Sequence, residues 1–139
     1  MSKSIKHTVH YSHKSKDVWE YLTKPELIAQ WLMPNDFKPI VGNEFQFRHS
    51  CLPEYNLDGI VYCKVLEIIP YKKLSYSWKA GPGEGKISLD SIVTITLIEK
   101  DNGTELTLQH DGFTSLNNSV FAIMDAGWLK NIKKINELN

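Results

Sequence analysis

The chain has 139 residues, enough for one domain with a real core. Hydrophobic residues make up 42% and charged residues 23%, the balance of an ordinary globular protein. The 16 Lys and Arg match 16 Asp and Glu, which removes the electrostatic case for nucleic acid or an anionic membrane as partner. No apolar run approaches the roughly 18–20 residues that a membrane span needs. The opening MSKSIKHTVHYSHK lacks the apolar middle of a secretory signal, so a cytoplasmic location is expected. Cys51 and Cys63 form no C-x-x-C pair and have no metal-like spacing to a His pair. Two free thiols in a reducing compartment are the expectation.

In chain order, Ile5, His7, Val9 and Tyr11 alternate and predict a strand. Ser15 is a candidate helix cap, with Asp17 in the positive first turn. Val18 and Leu22 lie four apart and share one face of a short helix. Thr23-Lys24-Pro25-Glu26 predicts a second helix start, with capping-box spacing and a tolerated proline. Leu27, Ile28, Trp31 and Leu32 give that helix its apolar stripe, and Pro34 stops it.

From there to Gln109 the chain reads as strands. Glu44–Cys51 alternates through Phe45, Phe47, His49 and Cys51. Gly59–Ile68 is rich in β-branched and apolar residues, and Lys73–Lys79 alternates Leu74, Tyr76 and Trp78. Gly81-Pro82-Gly83-Glu84-Gly85 is a flexible connection. Ser91–Glu99 sets Val93, Ile95 and Leu97 against Ile92, Thr94, Thr96 and Ile98. Asp101-Asn102-Gly103 predicts a hairpin, because Asn-Gly accepts positive φ. Leu106, Leu108 and His110 then share one face. The final segment is helical, from about Asn117 to Glu137. Phe121, Met124, Trp128, Ile132 (or Asn131), Ile135 and Leu138 recur on it at helical spacing. Strand, two short helices, antiparallel strands and one long helix make an α+β arrangement in a single domain over residues 1–139.

Several segments carry a resemblance: VWEYLTKPELIAQW (18–31), VGNEFQFR (41–48), VLEIIPYKKLSYSW (65–78), VTITLIEKDNGTELTLQHDGF (93–113) and Gly127-Trp128. Together they resemble the activator of heat-shock protein 90 ATPase homologue-like family, within the START-like (SRPBCC, Bet v 1-like) superfamily. The resemblance implies a helix-grip fold. In it a curved antiparallel sheet wraps around the long C-terminal helix, with a cavity between them. The chain departs from the family at Lys24, where an acidic residue is common, and in the bulky Leu52-Pro53-Glu54-Tyr55-Asn56 loop.

Functional residues in such a fold face inward. Period-two alternation nominates Phe47, His49, Tyr76, Trp78, Val93, Ile95, Leu108 and His110. The last helix adds Met124 and Trp128. Trp31 on the second helix and Phe37 after it complete the candidate wall. The aliphatic members equally suit plain core packing, whereas Trp and Tyr carry a polar atom that suits a pocket wall. His49 and His110 stand on apolar faces. Each is expected to bond a neighbouring hydroxyl or carbonyl, the alternative being a ligand-orienting group.

The sequence calls for no cofactor, metal or catalytic set. His7 and His10 point to opposite strand faces, and no Cys or carboxylate completes a metal site with His13. No G-x-S-x-G, P-loop or H-E-x-x-H motif occurs. The Lys130, Lys133 and Lys134 cluster reads as a solvated helix face. The leading expectation is a cytoplasmic binding protein for a small, mostly hydrophobic molecule, as a monomer or weak homodimer. The resemblance also implies a second reading, a module that regulates a chaperone or another protein. Chaperone activators carry an additional N-terminal domain for which this chain leaves no room, which ranks that reading second. A third is a cyclase or hydrolase with His110 paired to Tyr76 or Asp111.

Overall fold

The computed structural model describes residues 3–50, 52–55 and 57–137. Strand β1 (Lys3–Tyr11) leads into helices α1 (Ser15–Thr23) and α2 (Pro25–Trp31). Five strands follow: β2 (Glu44–Arg48), β3 (Ile60–Ile69), β4 (Lys73–Ala80), β5 (Leu89–Lys100) and β6 (Gly103–Phe113). Helix α3 (Asn118–Lys134) closes the order, with a 3-10 turn at Ile135–Glu137. The six strands form one curved, open antiparallel sheet in the order β1-β6-β5-β4-β3-β2. This is the expected α+β helix-grip arrangement.

The alternation read from the sequence is the alternation of burial. Register aligns one inward row across the sheet: Ile5 with His110, His110 with Val93, Val93 with Tyr76, Tyr76 with Val65. All five are buried, because period-two side chains on one face meet the same layer of core. Helix α3 lies over that face. Trp128 and Ile132 are buried against it, and the Tyr11 hydroxyl donates to the Ile132 carbonyl at 2.6 Å. His7 Nε2 meets Asp125 Oδ1 at 2.8 Å and ties β1 to the outer flank of α3.

Local chemistry departs from expectation at both short helices. Ser15 is the first residue of α1, not its cap; Lys14 caps in extended backbone with no side-chain bond. The Ser15 hydroxyl instead reaches Thr104 Oγ1 at 3.2 Å, pinning α1 to the start of β6. The Thr23–Glu26 capping box does not form, and Lys24 is the cap of α2. Thr23 is still helical as the last residue of α1, so its hydroxyl donates back to the Trp19 carbonyl at 2.8 Å. Pro25 occupies the first turn of α2 as expected.

β2 ends at Arg48, three residues before the expected Cys51. The paired backbone before β3 turns away there, because Gly59, opposite His49, sits at φ +96°. Cys51, with the expected thiol, and Leu138, at the end of the expected helical stripe, lie outside the described residues. On α3, Ile132 rather than Asn131 is the buried member, Phe121 and Met124 are half-buried, and Val120 is buried without having been foreseen.

The β5–β6 hairpin turns on Asp101 and Asn102, at φ +52° and +61°, flanked by the Lys100–Gly103 pair. Positive φ therefore falls on Asp-Asn, not on Asn-Gly. Gly103 serves a different need. A Cβ there would lie 2.0 Å from the Tyr11 carbonyl oxygen, where β1 passes. Gly103→Ala is expected to lower stability by at least about 1–3 kcal/mol, since backbone on both sides must move. A urea melt of this variant within about 0.5 kcal/mol of wild type would contradict that close approach.

Candidate functional site

A cavity of about 330 Å³ opens between α3 and the β2–β4 end of the sheet. Helix α3 supplies Val120, Ile123, Met124, Gly127, Trp128 and Asn131. The sheet supplies Val61, Trp78, Ala80 and Leu89. Leu32 and Met33, where α2 ends, form one side, and His49, Leu52, Tyr55 and Leu57 form the other. The wall is mostly apolar, and among the described residues no Lys, Arg, Asp or Glu contributes to it.

Four of the residues nominated from the sequence line this space: His49, Trp78, Met124 and Trp128. Trp31, Phe37, Phe47, Tyr76, Val93, Ile95, Leu108 and His110 do not; they are packed into the core beside it. The reason is aromatic interlocking. Phe37 meets Phe45 edge-on with centroids 4.9 Å apart, and Phe45 meets Tyr76 at 5.3 Å. Phe47 backs Trp78 at 5.3 Å, and Trp31 backs Trp128 at 6.5 Å. The Asn35–Phe37 segment places Phe37 here by sealing the β2 edge. There Asp36 Oδ1 accepts from the Gln46 N–H at 2.7 Å, and Pro34 accepts from the Arg48 N–H at 3.0 Å.

His110 has no exposed surface, and its environment settles its role. The Trp128 indole N–H donates to Nδ1 at 3.0 Å. An indole nitrogen only donates, so Nδ1 accepts and the hydrogen sits on Nε2. Nε2 then donates to Ser91 Oγ at 2.7 Å, and Ser91 donates onward to the Trp78 carbonyl at 2.8 Å. Both ring nitrogens are satisfied, as for a structural histidine. Burial pushes the His110 pKa down to about 3, against a small opposing pull from Asp111. The chain of bonds holds the Trp128 indole directly and the Trp78 backbone at its far end; both indoles wall the cavity.

The acid/base pair considered for an enzyme is not assembled. Asp111 faces away from His110 and accepts from the Ser4 hydroxyl and from Gln109 Nε2. Burial holds the Tyr76 phenol above its ordinary range, and burial with nearby Asp36 does the same to the Cys63 thiol. Neither is poised as a nucleophile. His7 and His10 diverge, to Asp125 and to the Lys100 carbonyl. Among the described residues no three His, Cys, Asp or Glu side chains group to hold a metal, and no helix is long and apolar enough to cross a membrane.

Of the twelve described lining residues missed from the sequence, seven lie on regular elements (Val61, Ala80 and Leu89 on strands, Val120, Ile123, Gly127 and Asn131 on α3), and five follow α2 or lie between β2 and β3. Leu52, Tyr55 and Leu57 sit in or beside a 3-10 turn closed by paired Leu52–Leu57 backbone bonds of 2.9 and 3.1 Å. Three large apolar residues in a segment without periodicity were the available signal. Gly127, isolated inside a helix, was another.

No curated protein matches the sequence. Among solved structures, protein MLL2253 of Mesorhizobium loti is 32% identical, over 97% of this chain and 95% of its own, with a TM-score of 0.86. The Aha1 dimer of Colwellia psychrerythraea shares the fold at 16% identity and a TM-score of 0.77, over 97% of this chain and 94% of its own. DynU16, a protein in the dynemicin biosynthetic locus, is 22% identical with a TM-score of 0.76. The match covers 96% of this chain but 46% of DynU16. Residues 12–139 match the family described as Activator of Hsp90 ATPase homolog 1-like protein, and the chain belongs to that family.

Proposed function

We propose that the protein binds a small, mostly hydrophobic molecule in the cavity between sheet and α3. The observation that carries this reading is the cavity itself: about 330 Å³, walled mostly by aliphatic and aromatic side chains, with no Lys, Arg, Asp or Glu among the described residues that line it. That volume lies at the small end of the roughly 300–1,000 Å³ typical of ligand pockets. START-like folds commonly bind hydrophobic ligands. A cytoplasmic setting suits the free, buried Cys63 thiol. The proposed working unit is a monomer or weak homodimer; the Colwellia relative was solved as a dimer.

Gly127 supplies the test. It lines the cavity, and a Cβ built on it meets nothing within 4 Å. Gly127→Leu should therefore project into the open space. Replacing an interior helix glycine should also stabilise α3, by up to about 1 kcal/mol. An apolar ligand should quench tryptophan fluorescence in the wild type. It should add about 2.7 kcal/mol of stability at one hundred times its dissociation constant. Gly127→Leu should stay folded and lose both responses. A variant that binds as well as wild type would place the ligand elsewhere, and the chaperone-partner reading would then lead.

A further inference from the structure

Resting on the cavity reading, the polar atoms of its wall narrow the ligand class. His49 places Nδ1 2.7 Å from the Ser50 carbonyl oxygen. A carbonyl only accepts, so Nδ1 carries a hydrogen, and on this half-buried ring the position left for a lone pair is Nε2. Among the described residues nothing donates to that lone pair.

Trp78 offers the opposite function. The indole N–H groups of Trp31 and Trp128 are both taken, by the Tyr21 carbonyl and by His110. The Trp78 N–H has no acceptor among the described residues, yet it is not one of the sealed orphan atoms, which are His13 Nδ1 and Asn43 Nδ2. It therefore meets open space, and the space beside this 4%-exposed residue is the cavity. Asn131, half-buried on α3, has an amide that makes no hydrogen bond among the described residues. One free acceptor, one free donor and one amide of both kinds thus border a space that is otherwise apolar.

We infer that the cavity selects an uncharged hydroxyarene of one or two rings. Its hydroxyl donates to His49 Nε2 and accepts from the Trp78 N–H or the Asn131 amide, while its ring lies against the Trp78 and Trp128 indoles. An anionic head is disfavoured, because among the described residues no Lys or Arg lines the wall to pair with it. A sterol is disfavoured by the volume. His49 is the residue that determines the preference.

The test is calorimetric titration of the full chain with naphthalene, naphthol and naphthoate. Naphthol should bind about three- to ten-fold tighter than naphthalene, the range of one net hydrogen bond. Naphthoate should bind more weakly than either. His49→Leu should erase the naphthol advantage, read as the ratio of naphthol to naphthalene affinity within the variant. His49→Gln, which keeps an acceptor oxygen, should retain part of the advantage. The wild-type ranking tests the inference even if a variant misfolds. Naphthalene binding with no naphthol preference, a preference that survives His49→Leu, or naphthoate binding best would each overturn the hydroxyarene assignment and leave the cavity reading standing. No binding by any of the three would overturn both.

Discussion

Trp128→Ala is expected to lower the unfolding free energy by about 3–5 kcal/mol, the range for truncating a fully buried large aromatic. The ring is 3% exposed. It sits between Trp78, 5.2 Å away by centroid, and Trp31, 6.5 Å away. Two losses combine. The first is volume, because the vacated space joins the existing cavity and little can collapse into it. The second is polar, because His110 Nδ1 loses its donor. Trp128→Phe separates the two. It keeps most of the ring but leaves the buried Nδ1 unpaired, so about 1–3 kcal/mol should be lost. Against a typical total of about 5–15 kcal/mol, the alanine variant would be marginal at physiological temperature. Urea melts at constant m-value read both numbers. A loss below about 1 kcal/mol for Trp128→Ala would contradict the buried placement.

Much of this architecture was legible because it is periodic. Val93, Ile95 and Leu97 alternate against Ile92, Thr94 and Thr96, and the pattern assigns the inner face without knowledge of any partner strand. The same holds for Leu106, Leu108 and His110. What period two cannot supply is position along the face. Tyr76 and Trp78 are equivalent by alternation, yet Tyr76 is locked among phenylalanines while Trp78 borders open space. That difference is set by where α3, the end of α2 and the 52–57 loop fall, which are long-range facts. The same limit explains the caps. Ser15 and Thr23 have the composition of cap residues, but their hydroxyls were claimed by Thr104 across the fold and by the Trp19 carbonyl one turn back. The Asp101-Asn102-Gly103 turn was legible as a hairpin; the crowding that requires Gly103 came from β1, some ninety residues away in sequence.

Acid should destabilise the wild type more steeply than His110→Gln. In the unfolded chain this imidazole titrates near its ordinary value of about 6.5. In the folded chain burial holds it down to about 3. Between those values the unfolded chain binds a proton that the folded chain refuses, so stability rises with pH there. The contribution is complete above about pH 6.5 and is lost progressively as pH falls toward 3, by up to about 1.4 kcal/mol per pH unit. The structural cause is specific. A second hydrogen on Nδ1 would face the Trp128 N–H, donor against donor, in a site closed to water. His110→Gln keeps an oxygen to accept from Trp128 and an amide to donate to Ser91, and it does not titrate. Urea melts of both proteins at a series of pH values cancel every other titrating group in the difference. That difference should be flat above about pH 7 and should shift in favour of the variant by about 2–3 kcal/mol between pH 6 and 4. A difference that stays flat through this window would mean that folded His110 takes up the proton as readily as the unfolded chain. The sealed Trp128–His110–Ser91 relay would then not describe the native state.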